Sequence, residues 1–126
     1  GIRSVRSRQF KFIHNLTPEV EFTNACTKSP EFVSWGSKAE AGDEDAAERV
    51  QRYQKRPAFE LYDLSKDPLE WQNLAADPEY GPVMEELKIE LAAWMESQGD
   101  LGQETELAAY DHQKRGKKAK KPKPKS

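Results

Sequence analysis

Phe59-Glu60-Leu61-Tyr62-Asp63-Leu64-Ser65-Lys66-Asp67-Pro68-Leu69-Glu70-Trp71-Gln72-Asn73-Leu74-Ala75 is the stretch whose reading decides the fold, because it spells a strand, a sharp turn and a helical start in succession. Phe59 and Leu61 alternate with Glu60 and Tyr62, the period of a half-buried strand. Ser65-Lys66-Asp67-Pro68 is turn chemistry. Asp67, Pro68 and Glu70 then supply an N-cap carboxylate, a first-turn proline and a third-position glutamate, so a helix is predicted to start at Pro68. Asn73 suits the closing of that turn through its side-chain amide. Tyr62, Asp63, Asp67, Pro68, Glu70 and Asn73 make up the structural motif.

Working outward, Ile2 to Asn15 divides into two strands about the polar turn Ser7-Arg8-Gln9. Phe10, Phe12 and His14 alternate with Lys11 and Ile13, giving one aromatic face. A hairpin alone is marginal in water, so Phe59 to Leu64 is expected to join it as a third strand. The segment from about 16 to 57 is an excursion from this sheet. Within it, Pro30 to Trp35 is predicted as a short helical turn carrying Phe32 and Trp35 to the core. Asp43 to Lys55 is predicted as a surface helix with acids at its N-terminus and a narrow apolar stripe.

The clearest helix is Pro82 to Gln98. Tyr80, Val83, Met84, Leu87, Leu91, Trp94 and Met95 fall on one face, Pro82 suits the first turn and Gly99 a left-handed stop. This helix is expected to cover one face of the sheet. The predicted class is α+β: a small antiparallel sheet, hairpin plus third strand, under a C-terminal amphipathic helix, with a helical insertion and a disordered basic tail. Residues 1–100 would form the folded unit and residues 101–126 a polar, Lys-rich tail, with a weak helix over Leu101 to Ala109.

Composition sharpens this picture. With 126 residues, 36% hydrophobic and 33% charged, the chain supports one thin core. Its net charge of -2 hides an asymmetry. Lys114 to Ser126 carries eight basic residues and no acid, while the rest carries twelve basic against twenty-two acidic. A single cysteine, Cys26, excludes an internal disulfide and a multi-cysteine zinc site. No apolar run approaches the ~20 residues of a membrane span or resembles a signal segment.

The string ELYDLSKDPLEWQNLA, followed by DPEYGPVMEELKIELAAWM, resembles the end of sulfatases of the alkaline-phosphatase-like superfamily. Their C-terminal subdomains carry ELYDL, two residues, Asp-Pro, any residue, Glu, then Asn-Leu-Ala. The opening RSVRSRQFKFIHNLTP, with the long insertion before RPAFELYDL, is similar to the N-sulfoglucosamine sulfohydrolase (sulfamidase) subfamily in particular. The resemblance spans roughly Ile2 to Asp100. It implies a C-terminal subdomain of a parent that hydrolyses sulfate esters or sulfamates of glycosaminoglycan-type sugars. It also implies an N-terminal catalytic domain as partner, holding formylglycine and calcium, and an extracytoplasmic (periplasmic, secreted or lysosomal) location.

The chemistry itself is not found in these residues. A formylglycine signature reads Cys-x-Pro-x-Arg or Ser-x-Pro-x-Arg, whereas Cys26-Thr27-Lys28-Ser29-Pro30 has proline too late and no arginine after it. Cys26 reads as a plain loop or core thiol. Asp63, Asp67 and Glu70 lack the spacing of a calcium loop and are explained by turn and cap duty. His14 reads as a structural histidine, and His112 has no nucleophile and carboxylate near it in sequence. No catalytic, cofactor-binding or metal-ligating residue is assigned, and the chain alone is expected to be inactive.

Arg3 and Arg6, with Arg8 and Lys11, concentrate positive charge on the hairpin. Arg3 and Arg6 are the candidates for rimming a sulfated-glycan pocket, since guanidinium forks match sulfate oxygens; a solvated strand face, or pairing with acids of the neighbouring domain, is the plainer reading. The Lys-rich tail suits polyanions without sequence-specific nucleic-acid readout. Asn15-Leu16-Thr17 matches a glycosylation sequon. Two functions therefore stand: a sulfatase subdomain that braces its catalytic domain and walls its substrate pocket, or a free-standing module whose basic tail holds a polyanion or acidic partner.

Overall fold

The computed structural model describes the backbone of residues 1–117 and the side chains of residues 1–112. β1 (Ile2–Arg6), β2 (Phe10–Asn15) and β3 (Phe59–Asp63) form one antiparallel sheet in the order β1-β2-β3. Val5 lies opposite Phe12, and Phe12 opposite Leu61. Ser7 closes the hairpin, its amide donating to Phe10 O at 2.9 Å and its hydroxyl oxygen accepting from Phe10 N at 3.0 Å. Side-chain alternation puts Val5, Phe10, Phe12, Phe59 and Leu61 on one face and Ile2, Lys11, Ile13, Glu60 and Tyr62 on the other. The third strand thus pairs as the alternation requires, across the whole insertion.

Four α-helices lie among the described residues, the first two of them in the insertion between β2 and β3. These are α1 (Pro30–Glu40), α2 (Glu44–Gln54), α3 (Gly81–Ser97) and α4 (Gln103–Lys117). α3 is the covering helix. Its Met84, Leu87 and Leu91 pack with Phe12, Leu61 and Leu74 in the core, and Val83 and Met95 flank them. Gly99 adopts φ 66°, the left-handed stop that a side chain would resist. Trp94 departs from the predicted face, being 53% exposed. Met95 completes the four-residue step from Leu91, and Trp94 falls about 100° short of it around the helix axis.

The predicted helix at Pro68 does not form. Asp67 does cap, but it accepts from Trp71 N at 3.0 Å and Gln72 N at 2.8 Å, so it closes a wider loop than a helical turn. Glu70 has φ 58°, a left-handed conformation that interrupts any right-handed turn. Local sequence satisfied the capping pattern; long-range bonds to Glu70 and Trp71 hold the loop irregular. Asn73 also acts at longer range than a turn closure. Its Oδ1 accepts from Leu61 N and Ala75 N, both at 3.0 Å, and its Nδ2 donates to Phe59 O at 3.3 Å.

The insertion carries its own small aromatic cluster. Ser29 caps α1 by accepting from Phe32 N at 3.2 Å, and Asp43 caps α2 by accepting from Ala46 N at 3.0 Å. α1 runs well past the predicted short turn. Phe32 is buried against Tyr53, ring centroids 5.3 Å apart, with Phe22 on Tyr53 at 5.7 Å. Trp35, the other aromatic predicted to reach the core, remains exposed. Cys26 is an exposed thiol in a 3-10 turn.

α4 occupies sequence predicted as polar tail, extending past the expected weak helix at Leu101 to Ala109. Arg3 ties it to the sheet: its Nε and Nη2 donate to Asp100, and Nη1 donates to Glu106 Oε1 at 2.7 Å. The remainder of the predicted tail, 118–126, lies outside the described residues. Among the described residues no helix is long and apolar enough to cross a membrane.

His14 sits at the edge of the covered face, its ring 4.8 Å from Phe59, with the Lys88 ammonium 4.6 Å from that same ring. Burial, then the Lys88 charge, pushes its pKa below the ordinary imidazole value. The unfolded chain therefore binds the proton first, and stability falls as pH drops below about 6.5 toward the lowered folded value. Asp63, Asp67 and Asp100 are held below the usual carboxylate range, by Ser65, by the Gln72 and Trp71 amides, and by Arg3 respectively. Their stabilisation is full above about pH 4 and is lost as pH falls through the lowered values. Urea unfolding at pH 7.5 and 5.5 is expected to show lower stability at the acid value. His14→Phe should flatten that slope; an unchanged slope in the variant would assign it elsewhere.

Candidate functional site

The second sheet face is not close-packed. The insertion overhangs it and leaves an open cleft of about 530 Å³, floored by Ile13, Glu60 and Tyr62 and walled by α2 and the loop after β3. A volume of this size is that of a small-ligand pocket. Lys11, Arg49, Arg52 and Arg56 line it against only two acids, Glu60 and Glu70. The cleft is therefore cationic within an acidic body.

Each cation has a distinct environment. Arg52 is committed to structure: Nη1 donates to Trp71 O at 2.7 Å, Nη2 donates to Glu70 O, and the guanidinium lies 4.8 Å from the Trp71 ring centroid. Lys11 pairs with Glu70 at 2.7 Å. Arg49 stands 5.6 Å from the Trp71 ring and Arg56 4.1 Å from the Phe22 ring. Neither has a carboxylate partner among the described residues. Face contacts leave guanidinium N–H groups free to meet an anion in the ring plane.

The Glu60 carboxylate in the floor is held by two neutral donors. Glu60 accepts from Tyr62 OH at 2.6 Å and from Asn15 Nδ2 at 2.8 Å. Burial first, then this bond to Glu60, pushes the Tyr62 phenol well above its ordinary pKa, so it stays a donor. Trp35 and Trp71 expose apolar rings at the rim, and Leu69 is 76% exposed beside them. Cationic forks beside exposed aromatic faces can hold a flat or pyranose ring bearing an anionic group.

The sequence candidates distribute unevenly about this cleft. Of the basic hairpin residues, Lys11 alone lines it. Arg3 lies on the opposite face, with its guanidinium taken by Asp100 and Glu106, and Arg6 is exposed outside the lining. Arg49, Arg52, Arg56 and Trp71 were not singled out by sequence reasoning. Arg49 and Arg52 stand three residues apart on α2 and Arg56 follows just past its end, a basic run available in DEDAAERVQRYQKR had it been read beside the apolar stripe.

The residues do not fit a calcium site. Asp63 accepts from Ser65 N at 3.0 Å, Ser65 Oγ at 2.6 Å and Gln9 Nε2 at 3.2 Å, Asp67 from two amides, and Glu70 pairs with Lys11. Among the described residues no group of three or more His, Cys, Asp or Glu is arranged to hold a metal ion. The sequon also loses its meaning in the fold. Asn15 is 4% exposed and its Nδ2 already donates to Pro57 O at 2.6 Å and to Glu60.

No protein-family model matches the chain. Over 96 residues it is 36% identical to N-sulphoglucosamine sulphohydrolase of Homo sapiens, covering 74% of this chain and 19% of that protein. Two ulvan-active sulfatases of Formosa agariphila are each 31% identical, over 102 and 106 residues. Both alignments cover 79% of this chain, and 18% and 17% of those proteins. The chain thus spans less than a fifth of the length of the curated relatives it matches. With its strand, Asp-Pro turn and Asn-Leu-Ala loop in place, it belongs to the sulfatase family, as a segment with the extent and motifs of a C-terminal subdomain.

Proposed function

We propose that this chain is the non-catalytic subdomain of a sulfatase acting on sulfated glycans, and that its arginine and tryptophan cleft holds the anionic sugar. The observation that carries this reading is the pair Arg49 and Arg56, cations on aromatic faces with no carboxylate partner among the described residues. The relatives support it, being named for N-sulphoglucosamine and for ulvan. Formylglycine and calcium would come from the catalytic domain in the same polypeptide, at an extracytoplasmic location. The chain's part is to brace that domain, orient the sugar and neutralise its charge.

Calorimetric titration of the chain with N-sulfoglucosamine tests the reading. Arg49→Gln with Arg56→Gln is expected to weaken binding by at least about tenfold, the effect of losing one charge-assisted hydrogen bond. Removal of residues 114–126 should leave it unchanged. Binding that survives the double substitution and disappears with the tail would instead favour the free-standing polyanion module.

A further inference from the structure

The sheet has two edges, and they are treated differently. β3 is met along its outer side by Asn73 and Leu74, whereas β1 has no neighbour beyond it in the order β1-β2-β3 among the described residues. The bonds from Ser7 N to Phe10 O and from Leu16 N to Gly1 O bracket the β1-β2 ladder, so the odd-numbered residues of β1 bond inward to β2. The N–H and C=O groups of Ile2, Ser4 and Arg6 therefore point outward. Of these only Ile2 O has a partner among the described residues, Arg3 Nη1 at 3.2 Å, and a carbonyl keeps a second lone pair. Ser4 and Arg6 are exposed.

We infer that this edge pairs antiparallel with the same edge of a second copy of the chain, about a two-fold axis at Ser4, joining the two sheets into one. The register follows from what each choice sets opposite. With Ser4 across from the partner's Ser4, Ile2 meets the partner's Arg6, Arg3 meets the partner's Val5, and each outward group finds an outward group. Axes at Arg3 or Arg6 set like charges directly opposite, and axes at Ile2 or Val5 leave more outward groups unpaired.

Charge points to a second copy as the occupant. Among the described residues Arg6 has no carboxylate partner in its own chain, and Glu21 has no cation. In this register Ile2 and the partner's Arg6 project from the same face, and Ile2 and Glu21 line one cavity of about 660 Å³. The partner's Arg6 thus enters that cavity toward Glu21, and by symmetry the pair forms twice. Arg3 does not compete, because Asp100 and Glu106 hold its guanidinium. Ile2 and Ser4 also line the cationic cleft, so the partner's edge closes the cleft on that side. The inference goes beyond the reading of the cleft and stands without it.

Sedimentation equilibrium of the chain over ~5–500 µM is expected to show the 14.4 kDa species giving way to one of twice that mass. Amide exchange at Ser4 and Arg6 should slow as the dimer forms. Ser4→Pro removes an N–H that bonds nothing in its own chain, and proline is tolerated at such edge positions, so the variant should fold and stay monomeric. Arg6→Glu and Glu21→Arg should each weaken dimerisation about tenfold, and the two together should restore it. If Ser4→Pro fails to fold, the charge swap decides by itself. A chain that is monomeric throughout, a folded Ser4→Pro variant that still dimerises, or a charge swap that restores nothing overturns the inference.

Discussion

Phe12→Ala is expected to lower the unfolding free energy by about 3–5 kcal/mol, the largest effect of any single substitution considered for this chain. Phe12 is 1% exposed, lies opposite Leu61, which is 0% exposed, and stacks on Phe59 at a centroid distance of 5.9 Å. It is the central strand's contribution to a core cluster with six buried members among the described residues. Truncation opens a cavity between sheet and α3 that cannot collapse, since hydrogen-bonded register fixes the strands. Small domains of this kind are stable by about 5–15 kcal/mol, so a loss of that size leaves little margin. Urea titration with an unchanged slope should report it. Trp94→Ala, on the exposed flank of α3, should cost no more than about 0.5 kcal/mol. Equal losses at the two positions would mean that α3 presents a different face to the sheet.

Asn73→Ala is expected to cost about 1–3 kcal/mol, the penalty for leaving backbone groups without partners. β3 is an edge strand, and its outward groups are met by the loop that follows: Leu61 N by Asn73 Oδ1, Phe59 O by Asn73 Nδ2, and Leu61 O by Leu74 N at 2.8 Å. The Asn-Leu-Ala segment thus works as a short substitute for a fourth strand and blunts an edge open to other chains. Asn73→Asp keeps the acceptor for Leu61 N and loses the donor to Phe59 O, so an intermediate loss is expected. Amide exchange at Leu61 should accelerate in the alanine variant. If its protection is unchanged, the edge is covered by something other than Asn73.

The motif stretch shows how far local sequence carries. Phe59 to Asp63 formed the predicted strand because alternation acts over neighbouring residues and needs only a face to bury. Asp67-Pro68-Leu69-Glu70 satisfied the local rule for a helix and formed none. Arg52, distant in sequence, takes the carbonyls of Glu70 and Trp71, and Lys11 takes the Glu70 carboxylate, so the loop is held by partners that a local reading does not include. Trp35 and Trp94 show the same limit in packing, since a helical face names a set of residues and the neighbouring layer selects among them.

The candidate site was less legible than the fold. Arg3 carried the expected chemistry, but β-strand alternation and the approach of α4 turned it toward Asp100 and Glu106. Arg49 and Arg52 carry ordinary surface chemistry in a charged helix, and Arg56 in the extended segment after it. Their significance arises because the insertion folds back over Tyr62 and Glu60.

By itself the amino-acid order determined the α+β class, the hairpin and its third strand, the α3 helix with its left-handed stop at Gly99, and the kinship with sulfatases. Each depends on periodicity or on a short motif, and those are written in contiguous residues. Tertiary structure alone decided that the motif loop is irregular, that Asn73 guards a strand edge, and that the cationic cleft lies on the face away from α3. These outcomes are settled by contacts between residues far apart in the chain, where the free energy of a hydrogen bond or ion pair depends on which partner the fold delivers and local propensity is overruled.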